Sequence, residues 1–260
     1  MRRAVIVADT RNPADVYGVH GTRGLTQWAC LARRAGLGDG WEAVEWARIP
    51  VGGVSGEHLH TRTEEVYVLL SGRGEITLDG RPVPVRAGDA ILTGLGTVHG
   101  LRNTGAEPLE WLVIEMPARA GRTAPGHAAP AHTAPGPAAA GGRHAVVTDL
   151  RGCGPVRPGA VFTGPLRTLE AAELTAGERA TLRTDGVEHT VFVTRGSGRA
   201  ATGRVRLQLV PGRALTLPLG TGAALTAGPD GLGYVHAVLT VRPGTTEDVH
   251  AEDVHAEESR

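Results

Sequence analysis

Lysine is missing from this 260-residue chain: all 27 of its basic side chains are arginine. That excludes a Schiff-base lysine, a pyridoxal phosphate anchor and a G-x-x-x-x-G-K-S/T phosphate loop, each of which needs an ε-amine. Cysteine is scarce. Cys30 and Cys153 stand far apart with no C-x-x-C pattern, which excludes a disulfide framework or thiolate metal site and fits a reducing cytoplasm. Four Trp, three Tyr and two Phe are too few for an aromatic-packed core. No apolar run approaches 18 residues, and the opening MRRAVIVADTR is interrupted at Asp9 before it reaches the length of a secretory core. A soluble cytoplasmic protein with no membrane partner is expected. Acidic and basic side chains balance at 27 each without a basic cluster, which leaves a nucleic-acid partner no electrostatic basis.

Glycine (38) and proline (17) are plentiful, so turns should be many and strands short. From Pro117 to Arg143 the composition collapses to Ala, Pro, Gly, Thr, Arg and His, with no larger aliphatic side chain to bury. Such a stretch reads as a linker, and His127 and His132 inside it read as solvated. From Glu247 the chain repeats EDVHA and carries six carboxylates, the pattern of a disordered acidic tail. The expected division is a barrel over 1–116, a linker over 117–143, a second barrel over 144–244 and the tail over 245–260.

Inside each half the apolar period is two. Segments 41–51, 65–70, 75–78, 83–85, 90–92 and 109–115 alternate or run apolar at strand length, separated by GG, SGRG, DGR, AGD and TGAEP. Many short strands at that spacing predict an all-β sandwich or barrel, with Asp79 to Arg81 as a tight hairpin turn.

Two spacings carry the chemistry: Gly52-x5-His58-x-His60-x4-Glu65-x6-Gly72 and Gly88-x5-Gly94-x-Gly96-x2-His99-x3-Asn103. On a strand, residues two apart share a face, so His58 and His60 point the same way, and Glu65 reaches that interior from the returning strand with Tyr67 and Leu69. His99 arrives from a second hairpin. Three imidazoles and a carboxylate suit one first-row divalent ion, with positions left for water or substrate. These spacings resemble the paired motifs of the cupin superfamily, departing only at Gly94, where the family usually has proline. The resemblance implies a jelly-roll barrel with His58, His60, Glu65 and His99 as metal ligands. Glu64 is the competing carboxylate, disfavoured because only Glu65 keeps six residues before Gly72.

A shift of 124 residues lays Gly53 on Gly177, Gly72 on Gly196, Gly74 on Gly198, Gly88 on Gly212 and Gly96 on Gly220. The expected fold is thus two cupin-type barrels in tandem, a bicupin. At the ligand positions the second copy has Leu182, Thr184, His189 and Ala223, so it is expected to be degenerate and structural, packed as an internal pseudo-dimer partner. A ligand pocket built on His189 and Arg183 is the sharper alternative.

The stretch from Gly56 to Gly105 resembles small cupins of actinobacterial natural-product pathways. The resemblance implies a metal-dependent enzyme acting on a small molecule in specialised metabolism, with an oxygenase or dioxygenase as the leading expectation. The metal is Fe, Mn, Zn or Ni. Isomerase, cyclase, lyase or zinc-dependent N–N bond-forming chemistry, and non-catalytic small-molecule binding, are the alternatives. Tyr67 is the candidate substrate-contacting phenol or general acid, while Arg48 and Gln27 are candidates to meet a carboxylate. Oligomeric state is open between a monomer with pseudo-dimeric barrels and a homodimer.

Overall fold

The computed structural model describes residues 4–38, 40–118, 145–156, 159 and 161–241. The tail, and the linker beyond Ala118, lie outside them. The first half contains β1 (Ile6–Asp9), β2 (Ala14–Tyr17), β3 (Leu25–Arg33), β4 (Ala43–Ile49), β5 (Val54–Leu59) and β6 (Thr63–Ser71). It continues with β7 (Arg73–Leu78), β8 (Arg81–Arg86), β9 (Asp89–Thr93), β10 (Val98–Asn103) and β11 (Leu109–Pro117). The second half contains β12 (Ala145–Asp149), β13 (Leu166–Leu174), β14 (Arg179–Arg183), β15 (Val187–Thr202), β16 (Val205–Leu209), β17 (Arg213–Leu217) and β18 (Gly222–Thr240). Among the described residues there is no α-helix, and the segments Val19–Gly21 and Arg34–Gly36 are 3-10 turns.

In the first barrel a seven-stranded sheet, β12-β9-β6-β11-β4-β3-β2, faces a four-stranded sheet, β5-β10-β7-β8. In the second barrel the order is β1-β17-β15-β18-β13, with β14 paired to β18 and β16 to β15. The long strands β15 and β18 do there what β6 with β7, and β10 with β11, do in the first copy. The architecture is two jelly-roll barrels in tandem. The β7–β8 connection is the expected two-residue hairpin, with Asp79 and Gly80 both at positive φ (49° and 74°), the signature of an Asp-Gly type I′ turn. Gly72 and its counterpart Gly196 both adopt positive φ (78° and 68°), so the turn after the ligand-bearing strand is built alike in both copies.

β6 shows why the apolar run there is nearly continuous. Tyr67 and Leu69 enter the first barrel with Ile76, Leu101 and Trp111. Val66 and Val68, on the opposite face, pack with Trp46, Leu112, Phe192 and Val235 into a core shared by the two barrels. Both faces are dry, so neither requires polar residues. Each such side chain contributes about 1.5–3 kcal/mol on burial.

The two halves also exchange strands. β1, at the chain's start, pairs with β17 of the second barrel from Ile6↔Thr216 to Asp9↔Arg213. β12, from the second half, pairs with β9 of the first barrel. Two buried carboxylates follow the same pattern. Glu64 of β6 accepts hydrogen bonds from Thr163 N (2.8 Å), Thr163 Oγ1 (2.9 Å) and Gly164 N (2.7 Å). Glu188, at the matching position of β15, accepts from Gly38 N (3.0 Å) and Leu219 N (2.9 Å). Each barrel thus fastens a backbone segment of the other half.

Candidate metal centre

β5 and β10 are antiparallel neighbours, and their register sets His99 directly opposite His58. The β9–β10 turn is closed by Thr97 N→Gly94 O (3.3 Å) and tied to the first hairpin by Gly96 N→His60 O (3.1 Å). Pro218 accepts the equivalent bond from Thr221 N (3.1 Å) in the second barrel, so glycine at 94 closes the same turn without the ring. Asn103, last residue of the second spacing, is a brace. Its amide nitrogen donates to Pro50 O (3.0 Å) and Glu107 O (2.8 Å), holding two loops together behind the site.

His58, His60, Glu65 and His99 each offer a ligand atom, and the four atoms lie within 4.8 Å of one another. His99 Nε2 is 2.7 Å from Glu65 Oε2, and His60 Nε2 is 3.6 Å from the same oxygen. Glu64 points to the other face of β6, as its bonds to Thr163 and Gly164 require. His60 Nε2 and His99 Nδ1 are buried without a hydrogen-bond partner. The orphaned His60 Nε2 beside the buried Glu65 carboxylate is what a site shaped for a cation looks like when only the protein is considered. The three-nitrogen, one-oxygen donor set fits a first-row divalent ion.

The outer contacts fix ring orientation. His58 Nδ1 is 3.0 Å from Gly56 O, so this nitrogen donates and Nε2 is left for the cluster. His60 Nδ1 lies 2.8 Å from Thr63 Oγ1, which itself donates to Glu115 Oε1 at 2.6 Å. Tyr67 is hydrogen-bonded to Glu65, and its ring meets that of His99 edge-on at 5.5 Å.

Electrostatics agree with a ligand set. Burial, and secondarily the nearby His99, pushes His58 down to about 4, so it is neutral at pH 7 as a ligand must be. Burial opposes ionisation of Glu65, but the hydrogen bond with His99 and the adjacent imidazoles outweigh it and hold the carboxyl below its ordinary value. Burial likewise works against charge on His60, yet its hydrogen bond to Glu115 and the field of Glu65 raise it. Burial and Glu65 together push the Tyr67 phenol well above its usual range.

The described structure brings together all four expected ligands and Tyr67. Tyr67 is 5% exposed, with its phenol beside Glu65. Arg48 and Gln27 do not reach the site. Arg48 lies 3.6 Å from Glu110 and Gln27 3.5 Å from Asp15, both on the outer side of the sheet, because even-numbered positions of β4 face away from the barrel interior and Gln27 of β3 is paired opposite Arg48. In the second barrel His189 meets the carbonyl of Arg183 through Nε2 at 2.8 Å and His236 Nε2 through Nδ1 at 3.0 Å, and Leu182 and Ala223 are buried core residues.

Sequence reasoning missed Glu115, Thr63, Glu45 and His20. Glu115 was detectable, because it shares the inward parity of Trp111 and Val113 in an otherwise apolar run. Glu45, whose carboxylate accepts from Trp28 Nε1 at 2.9 Å, is raised by burial and has the same signal on β4. His20, stacked on His58 at 3.6 Å between ring centroids, lies in a glycine-rich loop with no periodicity to reveal it.

The family model described as "Cupin domain" matches residues 45–115, which contain all four clustered side chains. Over 110 residues the chain is 28% identical to the oxalate-binding protein of Thermotoga maritima, covering 42% of this chain and 91% of that protein. The bacterial pirin YhhW of Escherichia coli, solved in complex with nickel(II), shares the fold with a TM-score of 0.64 at 14% identity, over 92% of this chain and 100% of the other. A variant of salicylate 1,2-dioxygenase from Pseudoaminobacter salicylatoxidans, solved in complex with gentisate, gives a TM-score of 0.58 at 16% identity, over 81% of this chain and 73% of the other. A cupin model thus lies over the hairpins that carry the clustered side chains, the tandem-barrel fold is shared with solved structures through both halves, and the chain resembles the cupin superfamily.

Proposed function

We propose that the first barrel holds one divalent transition metal through His58, His60, Glu65 and His99 and acts as an oxygenase on a small chelating molecule, in cytoplasmic specialised metabolism. The observation that carries this is the convergence of four ligand atoms within 4.8 Å, with His60 Nε2 buried and unpartnered. An ion held by these four residues would keep room for exogenous groups. A bound ion of this kind supplies Lewis acidity and, where redox-active, a meeting place for a chelating substrate and dioxygen. The chain's own residues do the rest. Thr63 and Glu115 hold the Nδ1 proton of His60 and keep Nε2 directed inward, while Tyr67 and His99 hold Glu65. Leu69, Ile91 and Trp111, buried in one cluster with Tyr67, keep that side of the barrel interior apolar. By shared fold, the nickel-bound pirin supports a metal centre and the gentisate complex of salicylate 1,2-dioxygenase supports its use of oxygen. The second barrel, taken as residues 144–244 with its exchanged strand, is structural.

A second reading, binding without turnover, is favoured by the oxalate-binding relative. Metal analysis of untagged protein, followed by oxygen uptake with gentisate, tests both. About one ion per chain is expected, lost in His58→Ala and in His99→Ala while circular dichroism stays unchanged. Unchanged metal in both variants overturns the assignment. Metal-dependent oxygen uptake supports the oxygenase; calorimetric binding of oxalate with no uptake supports the binding protein.

A further inference from the structure

Three of the four clustered side chains are held from more than one side. Glu65 sits on β6, between β9 and β11, and receives Tyr67 and His99. His99 sits on β10, between β5 and β7. His60 is tied to Thr63 and Glu115. His58 differs, because β5 is the edge of its sheet. Among the described residues its one hydrogen bond, from Nδ1 to Gly56 O, sets which nitrogen faces the cluster but does not by itself set the tilt of the ring plane.

The 3-10 turn Val19–Gly21 occupies the place a neighbouring strand would take. His20 lies face to face with His58 at 3.6 Å and an interplanar angle of 4°. Its backbone is left-handed (φ 52°, ψ 39°), a conformation that disfavours non-glycine residues. Among the described residues the other non-glycine at positive φ is Asp79, in a hairpin turn that demands it. The His20 loop is braced by Gly21 N→Gly18 O (3.0 Å) and Thr22 Oγ1→Val19 O (2.7 Å). On the opposite side β5 is cut back to receive it: a Cβ on Gly56 would overlap the carbonyl oxygen of His20 and come within 2.8 Å of Thr22 Cγ2. Backbone strain of this kind persists where the surroundings enforce it, and functional sites are where it concentrates.

We infer that His20 is a positioning residue for the metal centre, fixing the plane of the His58 ring by stacking and thereby holding Nε2 on the ion. This rests on the proposed metal site. The stack is what acts, and the nitrogens of His20 are not required, because lone pairs in a ring parallel to His58 are directed edgewise and not at it.

The test is cobalt(II) titration of the metal-free full chain, read by equilibrium competition and by the visible d–d spectrum, for wild type, His20→Ala and His20→Phe. His20→Ala should weaken cobalt binding by about 10-fold, the scale on which outer-shell partners act, and shift the spectrum with circular dichroism unchanged. His20→Phe, which keeps an aromatic face, should restore binding to within about twofold of wild type. Equal affinity in wild type and His20→Ala overturns the inference, as does a Phe variant as weak as Ala. Wild type that binds no cobalt overturns the metal reading itself, a result distinct from either.

Discussion

His189 stands where Glu65 stands in the first barrel, and there its imidazole is built into a hydrogen-bond chain. Nε2 donates to Arg183 O at 2.8 Å, Nδ1 meets His236 Nε2 at 3.0 Å, and His236 Nδ1 meets Glu170 Oε1 at 2.9 Å. Both nitrogens of His189 are committed, so no lone pair remains to ligate an ion. Burial pushes His189 below its ordinary 6.5, and the hydrogen bond with His236 holds Glu170 below its ordinary 4.5. Both folded values are depressed. The associated stability is therefore complete above the unfolded values and is lost as the pH falls through the folded ones. Urea unfolding of the metal-free protein should weaken on acidification first below about pH 6.5 and again below about pH 4.5. In His189→Gln the upper limb should flatten relative to wild type while the lower one persists; parallel curves above pH 5 would show that His189 contributes nothing to it.

At the scale of elements, the exchanged strands and the paired carboxylates act as one fastening. Glu188 is fully buried and accepts backbone N–H groups from Gly38 of one half and Leu219 of the other. Glu188→Ala leaves those donors without a partner in a dry place. Each such loss costs about 1–3 kcal/mol, so chemical denaturation should show a destabilisation of about 3 kcal/mol. Glu188→Gln keeps one acceptor oxygen and should lose less. These elements also mark where sequence reading stops. β6, β7, β9 and β11 were legible because glycine-bounded apolar runs of period two are local. β1 and β12 were not, since IVAD and AVVTD show that a strand forms but carry no information about which distant edge receives it. The clustering of His58, His60, Glu65 and His99 was legible for the opposite reason: strand parity and glycine-framed turns translate spacing directly into geometry. His20 depends on a loop's tertiary placement, which no spacing encodes.

For the whole molecule, the shared core decides whether a barrel can stand alone. Val44, Trp46, Val66, Val68, Leu112 and Ile114 are buried on the first barrel's outer face by its twin. A chain cut after Ala118 would expose that face and also the edge of β9 that β12 covers. It should self-associate, with light scattering giving at least a dimer. A stable, soluble monomer would show that the second barrel is dispensable.

The strand exchange also orders events in time. β1 is made about 200 residues before its partner β17. During synthesis the first barrel is thus denied β12, and β1 has no edge to join. Closure of the first barrel waits for β12 and closure of the second for β17, which makes for slow, long-range pairing. Biogenesis therefore turns on keeping one short apolar strand unclaimed until its distant edge exists, and an N-terminal fusion that buries or tethers Ile6 to Asp9 acts on folding before it can act on the metal centre.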